Sequence, residues 1–148
     1  MSDLRELYQE MILDHGRHPR NQSFPAGANC EAEGHNPLCG DRLTLKLRCV
    51  GDVVEEVGFQ GQGCAISTAS ASTMTESVKG KTRAQIAEMF EAFHAMVTGL
   101  GCGGESNLPP KLTVFAGVSE FPMRVKCAIL PWHALQAALE GRAVASTE

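Results

Sequence analysis

With 148 residues, the chain is long enough for a single domain that buries most of the surface its unfolded form would expose, so its core does not depend on disulfides. A formal net charge of −4 without any block of lysines or arginines argues against a broad nucleic-acid footprint, and no apolar run reaches membrane-spanning length. Six cysteines (Cys30, Cys39, Cys49, Cys64, Cys102 and Cys127) would suggest bridges in a small secreted protein, yet residues 1–6 start an amphipathic helix and lack a signal peptide's apolar stretch; the expected compartment is the cytoplasm, where thiols stay reduced or hold metal.

Taken in chain order, the pattern predicts an α+β domain over residues 1–148, a small antiparallel sheet packed against helices. Leu4, Leu7, Tyr8, Met11 and Ile12 recur at helical spacing and predict a first helix ending at about His15. Residues 16–37, rich in Pro, Asn and Gly, predict a loop carrying Cys30 and His35. Leu43, Leu45, Leu47 and Cys49 then alternate with Thr44, Lys46 and Arg48, and after Gly51-Asp52 residues 53–60 supply a partner strand. The two form a hairpin with one face in the core.

The small-residue run 65–75 reads as a tightly packed helix ending near Gly80, and Thr82 with Gln85 forms a capping box for another through about Phe93. A Gly/Pro-rich excursion, 99–110, precedes the last helix, with Ser119 as its cap and Pro122 in its first turn. The buried stripe there is Val125, Ile129, Trp132, Leu135 and Leu139, with Pro131 expected to kink or restart the helix.

The chemistry rests on Cys39-Gly40-Asp41, Cys64 and Cys127, three thiols and a carboxylate that only the fold can bring together. In extended backbone residues i and i+2 project to one side, so Cys39 and Asp41 can face one ion, with Gly40 letting the chain bend inward. Alone, this tripeptide reads as a turn more often than as a metal loop. Cys64 follows glycines and opens a helix, where unpaired amides and the positive dipole end lower a thiol's pKa. Cys127, alone, reads as a small core residue. The four together suggest a metal site meant to open, since a carboxylate is the weakest-held ligand among thiolates.

The other thiols read more plainly. Cys49 continues the inward strand face, and Cys30 and Cys102 read as incidental loop cysteines, Cys102 with a further reading as a resolving thiol. His15 and His18 belong to a basic stretch, 14–21, that reads as a solvated helix exit, and His94 and His133 as helix-edge residues.

Several stretches together resemble the U-type proteins of iron–sulfur cluster assembly. They are Leu7-Tyr8 with Asp14-His15 and Pro19-Arg20-Asn21; Asn36-Pro37-Leu38-Cys39-Gly40-Asp41; Gly61-Gln62-Gly63-Cys64-Ala65-Ile66-Ser67 with Ala69-Ser70-Ala71-Ser72; and Phe121-Pro122 with Arg124-Val125-Lys126-Cys127-Ala128. Their order spans nearly the whole chain. The resemblance is closer to the SufU branch than to the IscU branch, because residues 99–119 resemble the insertion typical of SufU and Lys126 stands where IscU proteins have a histidine. A protonated ammonium offers donors only, so Asp41 is left to complete a site with Cys39, Cys64 and Cys127.

The resemblance implies a SufU/IscU-like fold and a zinc-dependent sulfurtransferase. Cys39 would accept persulfide sulfur from a cysteine desulfurase of the SufS type and pass it to a downstream cluster-assembly scaffold, with Arg124 steering the partner or the persulfide. Two alternatives use the same four residues: a scaffold assembling a transient 2Fe-2S cluster, and a structural zinc adaptor, which Asp41 disfavours because closed structural sites mostly use Cys and His.

Overall fold

A computed structural model describes residues 2–36, 40–99, 108–141 and 144–146. In chain order these form α1 (Ser2–Arg17), β1 (Cys30–Asn36), β2 (Asp41–Val50), β3 (Val53–Gln62), α2 (Ala65–Val78), β4 (Lys81–Thr82), α3 (Arg83–Val97) and α4 (Pro110–Thr113). A 3-10 segment (Val114–Glu120), α5 (Pro122–Leu139) and β5 (Val144–Ser146) complete them. The sheet runs β4-β3-β2-β1-β5, antiparallel except for the short parallel pairing of β5 with β1. The α+β architecture and the β2–β3 hairpin are therefore as the pattern predicts.

The hairpin's alternation does what the sequence suggests. Leu43, Leu45, Leu47 and Cys49 of β2 are buried beside Val54, Val57 and Phe59 of β3, and each fully buried Leu stabilises the fold by about 1.5–3 kcal/mol. The predicted loop 16–37 is corrected in its second half, where Cys30–Asn36 is a strand in register with β2, Cys30 opposite Leu47 and Asn36 opposite Asp41. The inward positions of β1 are Ala32, Gly34 and Asn36, so no hydrophobic alternation announces it. Small residues are needed because α5 lies directly on the strand: a Cβ at Gly34 would stand 3.2 Å from Leu130 Cδ1 and 3.3 Å from Ala134 Cβ.

Helix α5 is buried on nearly every side from Cys127 to Ala138, a wider face than the single predicted stripe. It begins differently too. Phe121 occupies the N-cap without a side-chain hydrogen bond, Pro122 takes the first turn as expected, and Ser119 belongs to the 3-10 segment before it. Pro131 does not restart the helix, which continues to Leu139. The backbone bond lost at the proline is outweighed by all-round burial. Helix α3 carries the predicted capping box, Thr82 with Gln85, and runs on to Val97.

The stretch 14–21 is solvated only in part, with Asp14, Arg17 and His18 exposed. His15 is buried, its Nδ1 2.7 Å from Ser72 Oγ of α2, and the Arg20 N–H donates to the same oxygen. Asn21 Nδ2 donates to Thr75 Oγ1. On its other side His15 Nε2 faces Glu76, whose Oε1 lies 3.9 Å away and also pairs with Lys111 at 3.5 Å. Burial, foremost, and Arg20 and Lys111 push the His15 pKa down, against Glu76 and Asp14. A histidine whose folded pKa is lowered contributes stability that is complete above its unfolded value of about 6.5 and is lost as pH falls through the folded pKa. The urea midpoint of the wild type should therefore drop further between pH 7.5 and 5.5 than that of His15→Gln. Parallel pH profiles would show that folding leaves the His15 pKa unshifted.

Candidate metal centre

Three elements end at one place. Asp41 opens β2, Cys64 is the N-cap of α2, and Cys127 sits in the second turn of α5. One carboxylate oxygen and the two sulfurs lie within 4.8 Å of one another. Cys39 falls outside the described residues, as does Cys102, so three of the four expected ligands are seen to converge. The extended-backbone reason given for pairing Cys39 with Asp41 does not hold at Gly40, which has φ +72°. Instead, Gly40 closes a turn by donating its N–H to Asn36 O at 2.9 Å. A left-handed φ of this kind is one that glycine adopts without strain.

Asp41 is only 1% exposed. Its Oδ1 accepts the Cys64 N–H at 2.9 Å, and its Oδ2 stands 3.9 Å from Cys64 Sγ. Among the described residues no lysine or arginine forms an ion pair with it. A buried carboxylate without a countercharge is costly unless a cation joins it, and two thiols beside it make a donor set suited to zinc or to iron in a cluster. The residues present therefore fit such a group.

Cys64 is the exposed member of the set. Its sulfur accepts the Ser67 N–H at 3.4 Å, in the position where a serine or aspartate usually caps a helix. Its pKa is pulled down to about 6, first by a hydrogen bond with Cys127 and then by the Ser67 and Ile66 amides, against the opposing effects of burial and of Asp41. The Ser67 and Ile66 amides supply the lowering expected of a helix start, but the neighbouring Cys127 contributes more. Cys127, buried, is met by Asn36 Nδ2 at 4.0 Å.

The glycines before Cys64 are there for space. A Cβ on Gly61 would fall on the Arg42 carbonyl oxygen, and one on Gly63 would meet Asp41 Oδ1 at 3.0 Å and Ser67 Oγ at 3.3 Å. Asn36 is the residue that sequence reasoning did not assign. Its pairing opposite Asp41 and its contact with Cys127 place it beneath the centre, and its position at the head of the Asn-Pro-Leu-Cys-Gly-Asp stretch was the available signal.

Arg124 is exposed and stacks its guanidinium over the Phe121 ring at 4.5 Å, one turn before Cys127. His94 is exposed and His133 half-buried, and both pack on Phe90. Among the described residues no histidine belongs to the converging group. No described helix is long and apolar enough to cross a membrane.

Comparison with known proteins gives a consistent result. Residues 7–128 match the NifU-like N terminal domain. The zinc-dependent sulfurtransferase SufU of Bacillus subtilis is 39% identical over 135 residues, covering 91% of this chain and 90% of that protein. The iron-sulfur cluster assembly scaffold protein IscU of Thermotoga maritima is 36% identical over 134 residues, covering 90% and 93%. A crystal structure from Fervidobacterium islandicum, described as an iron-sulfur cluster assembly scaffold protein for the SUF system, superposes with a TM-score of 0.82 at 38% identity, covering 88% of this chain and 94% of that one.

Proposed function

Because the chain belongs to the NifU-like N-terminal domain family of iron–sulfur cluster assembly proteins, we propose that it is a zinc-dependent sulfur acceptor that takes persulfide sulfur from a cysteine desulfurase of the SufS type on Cys39 and hands it to a downstream scaffold. The observation that carries this reading is the convergence of Asp41, Cys64 and Cys127 around a carboxylate with no described countercharge. The four proposed ligands are these three and Cys39. Zinc held there keeps the thiolates deprotonated but subdued as nucleophiles.

The chain's own residues would do the rest. The freed Cys39 thiolate attacks the outer sulfur of the donor's persulfide, the donor's S–S bond breaks, and the donor cysteine leaves as a thiolate. Asp41 is the ligand suited to yield, since it has a second hold, the Cys64 N–H, to keep it in place. Lys126 contributes no ligand. Arg124, exposed and held on Phe121 one turn from Cys127, offers a cation to an approaching anionic persulfide.

Incubation with a cysteine desulfurase and labelled cysteine is the test. Wild type should carry label on Cys39 and Cys39→Ala should lose nearly all of it, whereas undiminished labelling of the variant would remove Cys39 from this role. The relatives named as scaffolds favour a second reading, a transient 2Fe-2S cluster on the same residues. Metal analysis of protein purified without added metal separates the two: stoichiometric zinc supports the acceptor, iron with acid-labile sulfide the scaffold.

A further inference from the structure

One residue touches the candidate metal centre from two sides without being one of its metal donors. Asn36 ends β1 opposite Asp41, the first residue of β2, and both are inward positions of the sheet. Residues paired this way across antiparallel strands keep their Cβ atoms about 4.5–5.5 Å apart on one face. The Asn36 carbonyl accepts the Gly40 N–H at 2.9 Å, so the same residue anchors the turn that leads into Asp41. It is fully buried.

The way α5 lies on β1 brings the Asn36 carboxamide to Cys127. Gly34, two residues back on the same face, lets the helix approach so closely that Leu130 and Ala134 sit over it. From Gly34 the strand advances about 6.6 Å to Asn36, while from Leu130 the helix runs back about 4.5 Å, nearly one turn, to Cys127. Strand and helix thus meet again one step further on, where Asn36 Nδ2 stands 4.0 Å from Cys127 Sγ in a buried contact. A neutral thiol is held only weakly at that distance. A thiolate draws the donor in, because hydrogen bonds to an ionised acceptor are shorter and about twice as strong.

We propose that Asn36 is a positioning residue of the metal centre: it donates its amide N–H to the Cys127 thiolate, fixes the direction in which that sulfur faces an ion, and tempers the sulfur's donation to it. The inference rests on the reading of Asp41, Cys64 and Cys127 as ligands. The residue type suits the task. A carboxamide supplies N–H donors without adding charge, whereas a carboxylate at this position would crowd a further anion against Asp41 and two thiolates. Hydrogen-bond partners that orient a ligand in this way are worth about 10–100-fold in metal affinity. The same N–H stabilises the sulfur lone pairs from which the charge-transfer transition of a bound transition metal starts, and so raises the energy of that transition.

Cobalt(II) alone is the probe, since its absorption reports on the sulfurs that bind it. Wild type, Asn36→Leu and Asn36→Ala are titrated with it, and the same three again in a Cys127→Ala background. Leucine keeps the fork at Cγ but lacks the N–H, and alanine covers the case in which leucine does not fit. Both variants should bind cobalt about 10–100-fold more weakly than wild type, with the sulfur-to-cobalt band moved to longer wavelength. Where Cys127 is already alanine, the same substitutions should change affinity by no more than about twofold. A loss equally large without Cys127 would overturn the proposal, because Asn36 would then be holding the turn at Gly40 and not the sulfur. So would a band that stays in place while affinity falls, or affinity and band both unmoved. Wild type that takes up no cobalt would instead overturn the metal reading itself, and this inference with it.

Discussion

Replacement of Asp41 by asparagine is expected to move two quantities in opposite directions. Zinc affinity should fall by about 10²–10³-fold, since a four-ligand zinc site is worth about 10–16 kcal/mol and one ligand therefore about 3 kcal/mol. The metal-free protein should keep its stability or gain some, because asparagine retains an oxygen for the Cys64 N–H while removing a buried charge with no described ion-pair partner. Competition against a chromophoric chelator measures the first, and urea unfolding of the metal-free variant the second. If both fell together, Asp41 would be holding up the fold and not an ion.

Truncation of Phe115 to alanine should destabilise the protein by about 3–5 kcal/mol. For a chain of this size that lowers the melting temperature by about 6–20 °C. Phe115 lies in the stretch that resembles an insertion, but its ring is fully buried and meets Phe93 edge-on at 5.8 Å, while Phe93 stacks on Trp132 at 5.0 Å. Leu112, Val114 and Val118 of the same stretch are buried with it. A side chain on an appended flap would change stability by no more than about 0.5 kcal/mol. Thermal unfolding of Phe115→Ala decides between a stretch that completes the core and one that merely covers it.

What could be read from the sequence follows from how loudly each residue declares its surroundings. Strands β2 and β3 were legible because leucines and valines alternate with charges. Strand β1 was not, because a strand pressed against a helix must present Ala32, Gly34 and Asn36, and these look like loop residues. Strand β5 is three residues long and too short for any period to show. His15 was misplaced because its burial comes from Ser72, fifty-seven positions away, and not from its own neighbours.

At the candidate metal centre, Asp41, Cys64 and Cys127 stand out in the sequence as potential donors, and the glycines before Cys64 place it at a helix start. Their separation could not be read, since it depends on how α5 lies across β1. The support from Asn36 was signalled only by its place at the head of the Asn-Pro-Leu-Cys-Gly-Asp stretch, because a buried amide and a turn amide are the same letter.

The small side chains of α2 have a consequence for how the centre takes up its ion. Thr73, Thr75 and Ser77 turn their hydroxyls back onto carbonyls of their own helix, and Ser70 donates across to Ala128 O of α5 at 2.5 Å. Two helices joined this way leave each other little room to slide, so Cys64 and Cys127 form a preset grip, like a vice whose jaws are already at the right width. An ion bound as proposed would find two of its ligands already in place and would lose little affinity to ordering the chain.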